Sequence, residues 1–220
     1  MATKNSVNNK AGSLTLDPGA SGDPFVQLSI AADDKFIYGV DDSDSDKFKI
    51  ADANSLATAN VFVMTAAGER TLPLLPAFLA YNSSTDSNVV GGSTTVVVIE
   101  FDTEIFDQGG DYNNSTDTFT APVTGRYRFA MGVRLDGVVA ANRSFFDLNT
   151  SNRNYQFDSR SPVSSLSASG SFGICSSLMV DMDAADTAFL RVLCTGEASD
   201  IVDVYGGSSP ITFFSGYLVC

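Results

Sequence analysis

The chain has no histidine and no tryptophan, only three cysteines, and half as many Lys and Arg (13) as Asp and Glu (26). Without histidine, Ser-His-Asp and Cys-His catalysis and histidine-bearing metal sites are excluded. No glycine-rich phosphate loop or dinucleotide fingerprint occurs. Carboxylate-pair chemistry such as glycoside hydrolysis survives, but 26 acids could supply a pair in any fold, so their presence discriminates nothing. The expectation is a protein that is not an enzyme. A formal charge of -13 repels phosphate backbones and anionic surfaces, so nucleic acid is not an expected partner. No stretch approaches the roughly 18 to 20 apolar residues that span a bilayer, which argues against membrane insertion. The start, MATKNSVNNKAGSLTLD, lacks the apolar run of a secretory signal, so a soluble product of a cytosol is expected. Sequons at Asn82, Asn113, Asn114, Asn142 and Asn149 then carry no weight.

Cys175, Cys194 and Cys220 show no metal-ligand spacing. If SFGICSSLMVDMDAADTAFLRVLC is a hairpin turning at Ala184 and Ala185, Cys175 and Cys194 become cross-strand neighbours. Their Cα separation would then be about 4.5 to 5.5 Å, which a disulfide can span. A cytosolic product stays reduced, so two buried free thiols are the plainer expectation. The same tip carries Asp181, Asp183 and Asp186, candidate ligands for a calcium ion, against which stands the reading of a solvated polar turn. No other cofactor is expected.

What is present is 44% hydrophobic residues over 220 positions, enough for one large domain or a large and a small one. Residues 1–22 are polar and read as an extended attachment arm. Residues 23–72 hold short runs (FVQLSI, KFIYGV, KFKI, VFVM) bounded by Asp, Asn, Gly and Ser, and read as a small β module. Between KFIYGV and KFKI lies an acidic turn with Asp42, Asp44 and Asp46. An EF-hand loop would need Gly and Glu where Lys47 and Ala53 stand, so the turn reads as a hairpin connection. Alternation puts Phe48 and Ile50 on one side and Lys47 and Lys49 on the other. Pro73 and Pro76 mark a boundary near residue 74. From 76 to 220 apolar, β-branched and aromatic runs alternate with turns and show almost no helical period, which predicts an all-β sandwich.

Within that stretch VIEFDTEIFDQGGDYNNSTDTFTAPVTGRYRFAMGV, from Val98 to Val133, resembles the signature of the C1q/TNF-like jelly roll. The closing ITFFSGYLVC is similar to that family's last strand. The residues that carry the resemblance are Phe101, Asp102, Gly109, Phe119, Pro122, Gly125, Tyr127, Phe129, Phe214, Gly216 and Tyr217. It implies a jelly-roll head over 76–220, assembled as a homotrimer. Runs such as TTVVVIEF and SFGICSSLMV suit that, since they carry apolar residues on both faces. The signal peptide and Gly-X-Y stalk of secreted members are not seen, which turns the reading away from complement-like or cytokine-like function. Residues 22–69 resemble the short β module of bacteriophage tail fibres, in which the acidic turn would be a solvated corner of a trimer.

Together the resemblances imply a virion surface protein made in a bacterial cytoplasm, with an arm, a trimeric β collar and a head. Two roles follow. As a fibre, its head would touch a host receptor or surface glycan, and NRSFFDLNTSNRNYQFDSR would be a contact loop unless Phe145, Phe146, Tyr155 and Phe157 belong to the core or a trimer interface. As a capsid decoration or cement protein, it would clamp other virion proteins through the arm.

Overall fold

The computed structural model describes residues 6–10, 13–19, 21–31, 33–161 and 170–220. The chain divides into two compact units, Met1–Leu75 and Pro76–Cys220. The first holds β1 (Ser6–Lys10), β2 (Ser13–Asp17), β3 (Phe25–Ile30), β4 (Asp33–Asp41), β5 (Lys47–Ala51), β6 (Asn60–Met64) and β7 (Arg70–Thr71). Where an extended arm was expected, β1 and β2 fold back as a hairpin from Ser6↔Asp17 to Lys10↔Ser13. Doubling back pairs backbone groups that a lone strand would leave bare. Residues 1–5, 11, 12 and 20 of the arm lie outside the described residues.

Strands β3 to β7 form an antiparallel meander in chain order. The acidic turn is the β4–β5 connection, a single 3-10 turn over Asp42–Asp44 followed by Ser45 and Asp46 at φ 59° and 56°. Its carboxylates are not all solvated. Lys49 Nζ lies 2.7 Å from both Asp41 Oδ2 and Asp44 Oδ2, and Lys47 Nζ lies 2.8 Å from Asp44 Oδ1. Lys49 and Asp41 are buried, and the Lys49 hydrogen bond holds the Asp41 carboxyl below the usual range. Burial pulls the Lys49 ammonium down, but its hydrogen bonds to Asp41 and Asp44 win and leave it raised. On the same face a small core of Ile37, Ala51 and Leu56 is packed by Phe25 and Ala53. Gly39 lets the chain at Pro24 and Phe25 cross closely above it, since a Cβ there would stand 2.7 Å from the Phe25 Cα.

The second unit holds β8 (Ala77–Tyr81), β9 (Asp86–Val90), β10 (Val97–Val98), β11 (Thr103–Gln108), β12 (Tyr112–Asn113), β13 (Thr118–Thr120) and β14 (Gly125–Asp136). It continues with β15 (Arg143–Thr150), β16 (Asn154–Arg160), β17 (Phe172–Met182), β18 (Thr187–Thr195), β19 (Val202–Val204) and β20 (Phe213–Leu218). One sheet runs β11-β8-β20-β14-β19-β9 with β17 on the other side of β14; the second runs β12-β13-β18-β15-β16 with β10 beside β18. Alternate residues of both, such as Tyr127, Phe129 and Met131 from the first and Phe146, Leu148, Leu190 and Val192 from the second, share one core.

An aromatic cluster fills one end. Phe78 stacks on Tyr112 (4.8 Å) and Phe119 (5.1 Å) and meets Phe214 edge-on (5.1 Å). Gly216 makes room for it: a Cβ there would lie 2.5 Å from Phe129 Cδ1 and 2.8 Å from Phe78 Cε1. That glycine is required by close approach and not by its backbone angle.

The structure corrects the expected hairpin at Ala184 and Ala185. β17 pairs with β14 from Gly125↔Met182 to Leu135↔Phe172, whereas β18 pairs with β15, so the turn carries the chain from one sheet to the other. Ala185 N donates to Ala121 O (2.8 Å) and Ala184 N to Thr124 Oγ1 (3.0 Å), anchoring the turn on the neighbouring corner. Cys175 faces outward opposite Gly132 and Cys194 faces the core, so they are not cross-strand partners, and all three cysteines are free. A hairpin and a sheet-to-sheet corner share the same alternation and turn residues, which is why the pattern did not separate them.

Candidate assembly surface

Most residues of the jelly-roll motif build the second unit's interior. Phe101, Phe119, Tyr127, Phe129 and Phe214 are fully buried. Tyr127 donates its hydroxyl to Val123 O (2.7 Å), tying down the exposed corner that holds Pro122 and leads into Gly125. Asp102 accepts from Ser83 N (2.9 Å) and Ser83 Oγ (2.7 Å); burial works against its charge, and these bonds hold its pKa below the usual range. Gly109 and Gly110 take φ 109° and 74° in the turn from β11 to β12, where Asp107 accepts from the Tyr112 backbone (3.0 Å). Tyr217 departs from the group. It is 45% exposed and points away from the core.

Tyr217 belongs to a surface that register defines. Because Phe78, Ala80, Tyr127, Phe129, Met131, Phe214 and Gly216 face inward, the outer face of the sheet takes Leu79, Tyr81, Ala130, Gly132, Phe213 and Tyr217 together with the polar Arg126, Arg128, Ser177, Asp181 and Ser215. Phe106 lies opposite Leu79, and Met179 opposite Arg128, on the same face. Phe106 (48% exposed), Tyr217 (45%) and Met179 (56%) are the bare members. An antiparallel sheet normally turns a polar face to water, and exposed apolar and aromatic side chains grouped on one face make a candidate interaction surface. Of the two runs thought to be apolar on both faces, SFGICSSLMV contributes Met179 here. In TTVVVIEF only Val97 and Val98 are strand, while Ile99 and Phe101 turn into the core.

The stretch NRSFFDLNTSNRNYQFDSR is not a loop. It forms the β15–β16 hairpin, with Phe146 fully buried and Tyr155 and Phe157 packed against the core. Its alternation was masked by the polar residues of the outer face, where Asp147 Oδ2 meets Arg191 at 3.1 Å.

The calcium candidates do not converge. Asp186 Oδ2 accepts from Asp183 N and Asn152 Nδ2 (2.8 Å each), whereas Asp181 is paired with Arg153 at 3.1 Å and accepts from the Tyr155 hydroxyl. Among the described residues no three His, Cys, Asp or Glu side chains come together as a metal site. The depression beside them, lined by Arg126, Asn152, Asp181 and Asp183, is about 200 Å³, smaller than ordinary ligand pockets of roughly 300 Å³ or more.

Two carboxylates do structural work that no motif announced. Glu197 Oε1 accepts from the backbone N–H groups of Val139, Ala140 and Ala141 at 2.7, 2.7 and 2.8 Å, forming a nest around one buried oxygen. Asp86 Oδ2 accepts from Asn82 Nδ2 at 2.6 Å, yet burial first and then Glu100, with Asp102 and Asp117, push its pKa up to about 6. No helix among the described residues is long and apolar enough to cross a membrane.

The C1q domain family matches residues 77–219. The globular domain of zebrafish complement 1qA protein is similar at 17% identity, covering 66% of this chain and 98% of that one with a TM-score of 0.45. Murine APRIL at pH 8.5 is similar at 12% identity, 66% and 98% coverage and a TM-score of 0.43. Its structure at pH 5.0 gives 13%, 66% and 99%, and 0.44. With TM-scores below 0.5 these likenesses add nothing to the family match. No curated protein matches the chain.

Proposed function

The chain belongs to the C1q domain family through residues 77–219, and on that premise we propose that it is a non-enzymatic structural protein of a bacteriophage virion, a homotrimeric surface fibre whose jelly-roll head serves host attachment. C1q/TNF-family domains typically form homotrimers. The observation that supports assembly here is the group of exposed apolar side chains on that outer face, Phe106 of β11, Tyr217 of β20 and Met179 of β17. Three copies packed through that face would bury it and leave the β15–β16 sheet outward. The virion setting is supported by the tail-fibre-like run in residues 22–69. The acidic balance, a pI of about 4.1, and the lack of histidine fit a structural protein better than a nucleic-acid binder or hydrolase.

The test is a side-by-side binding assay of labelled full-length protein on intact host cells and on virus particles stripped of it. Saturable binding to cells supports the fibre. Binding to particles alone, lost on deleting residues 1–22, makes it a capsid decoration protein instead. A native mass near the 23.2 kDa of one chain overturns the trimer.

A further inference from the structure

Three segments of the second unit meet around one depression: the corner between β17 and β18, the turn between β15 and β16, and the chain entering β14. Arg126, Asn152, Asp181 and Asp183 line it, with Gly125 and Met182 supplying apolar surface. Register places Arg126 directly opposite Asp181. The Asp181 carboxylate is already engaged, accepting from Arg153 Nη2 (3.1 Å) and from the Tyr155 hydroxyl (3.2 Å). Asn152 Nδ2 donates to Asp186 Oδ2 (2.8 Å) and to the Asp181 carbonyl (3.4 Å), which leaves Asn152 Oδ1 as a bare acceptor. Asp186 Oδ2 also accepts from the Asp183 backbone N–H (2.8 Å), fixing the turn that carries the Asp183 side chain. Two charged groups are then left over. The Arg126 guanidinium and the Asp183 carboxylate, both exposed, make no ion pair and no side-chain hydrogen bond among the described residues. A donor and an acceptor of opposite charge face one space without neutralising each other.

We propose that this depression holds one sugar residue of a neutral glycan, whose hydroxyls donate to Asp183 and to Asn152 Oδ1 and accept from Arg126. Its purpose rests on the attachment role proposed above. Charge selects this class of ligand. An anion would meet three carboxylates, Asp181, Asp183 and Asp186, against two guanidiniums, Arg126 and Arg153, while a metal cation finds no three acidic side chains converging among the described residues. A hydroxyl both donates and accepts, so a polyol serves both signs at once and brings no charge of its own. Its bonds to ionised groups are also the stronger kind. Size agrees: about 200 Å³ is the room of about seven waters at about 30 Å³ each, which one sugar ring with its hydroxyls fills and two do not. The apolar surface of Gly125 and Met182 is left for the ring's C–H groups. Of the stretch NRSFFDLNTSNRNYQFDSR, only the turn at 151–153 then takes part, and its aromatic residues do not. A shallow site for so small a ligand binds in the millimolar range, and repeated copies on one particle raise the avidity about 10²–10⁴-fold.

The experiment applies saturation-transfer difference NMR to the full-length chain. The probes are D-glucose, D-galactose, D-mannose and N-acetyl-D-glucosamine, each at about 10 mM to suit a millimolar Kd. The expected result is transfer to at least one of the four, with affinity reduced at least about tenfold in Arg126→Ala and in Asp183→Ala, since each removes a hydrogen bond to a charged group. Gln156→Ala, at an exposed position opposite Asp147 and outside the depression, should bind as the unsubstituted chain does. Both site variants trim side chains that make no bond within the chain, and unchanged melting confirms that they fold. No transfer to any of the four sugars overturns the inference, and so does transfer that survives in both variants. A melting point raised by calcium chloride, with no sugar bound, assigns the depression to an ion and overturns it as well. Host-cell binding that persists undiminished in both variants overturns this inference and leaves the attachment role standing; sugar binding without cell binding supports the site and removes that role.

Discussion

In the unit Pro76–Cys220 two sheets turn their apolar faces toward each other, and the aromatic cluster around Phe78 and Phe214 packs between them. In Met1–Leu75, among the described residues, the apolar core of the meander is Ile37, Ala51 and Leu56, and Leu28, Phe36 and Tyr38 are exposed. The same period-2 alternation thus packs two sheets on each other in one case and, in the other, leaves Leu28, Phe36 and Tyr38 of one sheet face exposed. A sheet buries its apolar face only against a second layer.

The sharpest way to break the comparison is Phe214→Ala. Phe214 is fully buried in the second unit, and its loss costs about 3–5 kcal/mol of that unit's stability, read by denaturant unfolding. The first unit's transition is expected to stay in place. A shared loss would mean the two units unfold as one.

Next comes Lys49→Ala in the first unit, which leaves the buried Asp41 carboxylate without its cation. About 3 kcal/mol is expected, confined to that unit, with Lys49→Met milder if Asp41 is changed to Leu alongside it. Hydrogen exchange resolves the two units separately. Protection lost in β4 and β5 alone supports the division, and protection lost in β14 counts against it.

The smallest effect concerns pH. Asp86 carries a folded-state pKa of about 6, above the roughly 3.9 of an unfolded chain, so the folded state binds this proton more tightly. Its contribution is fully present below about pH 4, is lost as pH rises through 6, and is flat above that. Because the group is partly solvated, about 1–2 kcal/mol is expected rather than the full shift. Asp86→Asn mimics the protonated state. At pH 7.5 it should melt above the unsubstituted protein, and the difference should vanish near pH 4; a constant difference across that range would refute the assignment.

The strands FVQLSI, KFIYGV, KFKI and VFVM, the acidic turn as a connection, and the split of Phe48 and Ile50 from Lys47 and Lys49 were legible without coordinates. So was the jelly roll, through Phe119, Tyr127, Phe129 and Phe214. Each of these depends on residues near one another in the chain, where alternation and turn chemistry act directly. Legibility failed where a residue's partner is far away. Tyr217 looked like its buried neighbours, yet its parity sends it outward. Asp181, Asp183 and Asp186 looked like a cluster, yet hydrogen bonds to Asn152 and the pairing with Arg153 separate them.

By itself, then, the sequence determined that this is an all-β chain with a C1q-type signature, no histidine chemistry and a strongly acidic balance, because local periodicity, composition and a spaced motif need no fold to be read. Only the tertiary structure decided that β17 and β18 part into different sheets, that Glu197 reaches back across to Val139, Ala140 and Ala141, and that Asp86 shares its surroundings with Glu100 and Asp117. Only the tertiary structure also showed which apolar side chains lie exposed on a sheet face, Phe36, Phe106 and Tyr217 among them. Those facts depend on which distant segments lie side by side, and alternation along a strand says which side a residue takes but not what it will meet there.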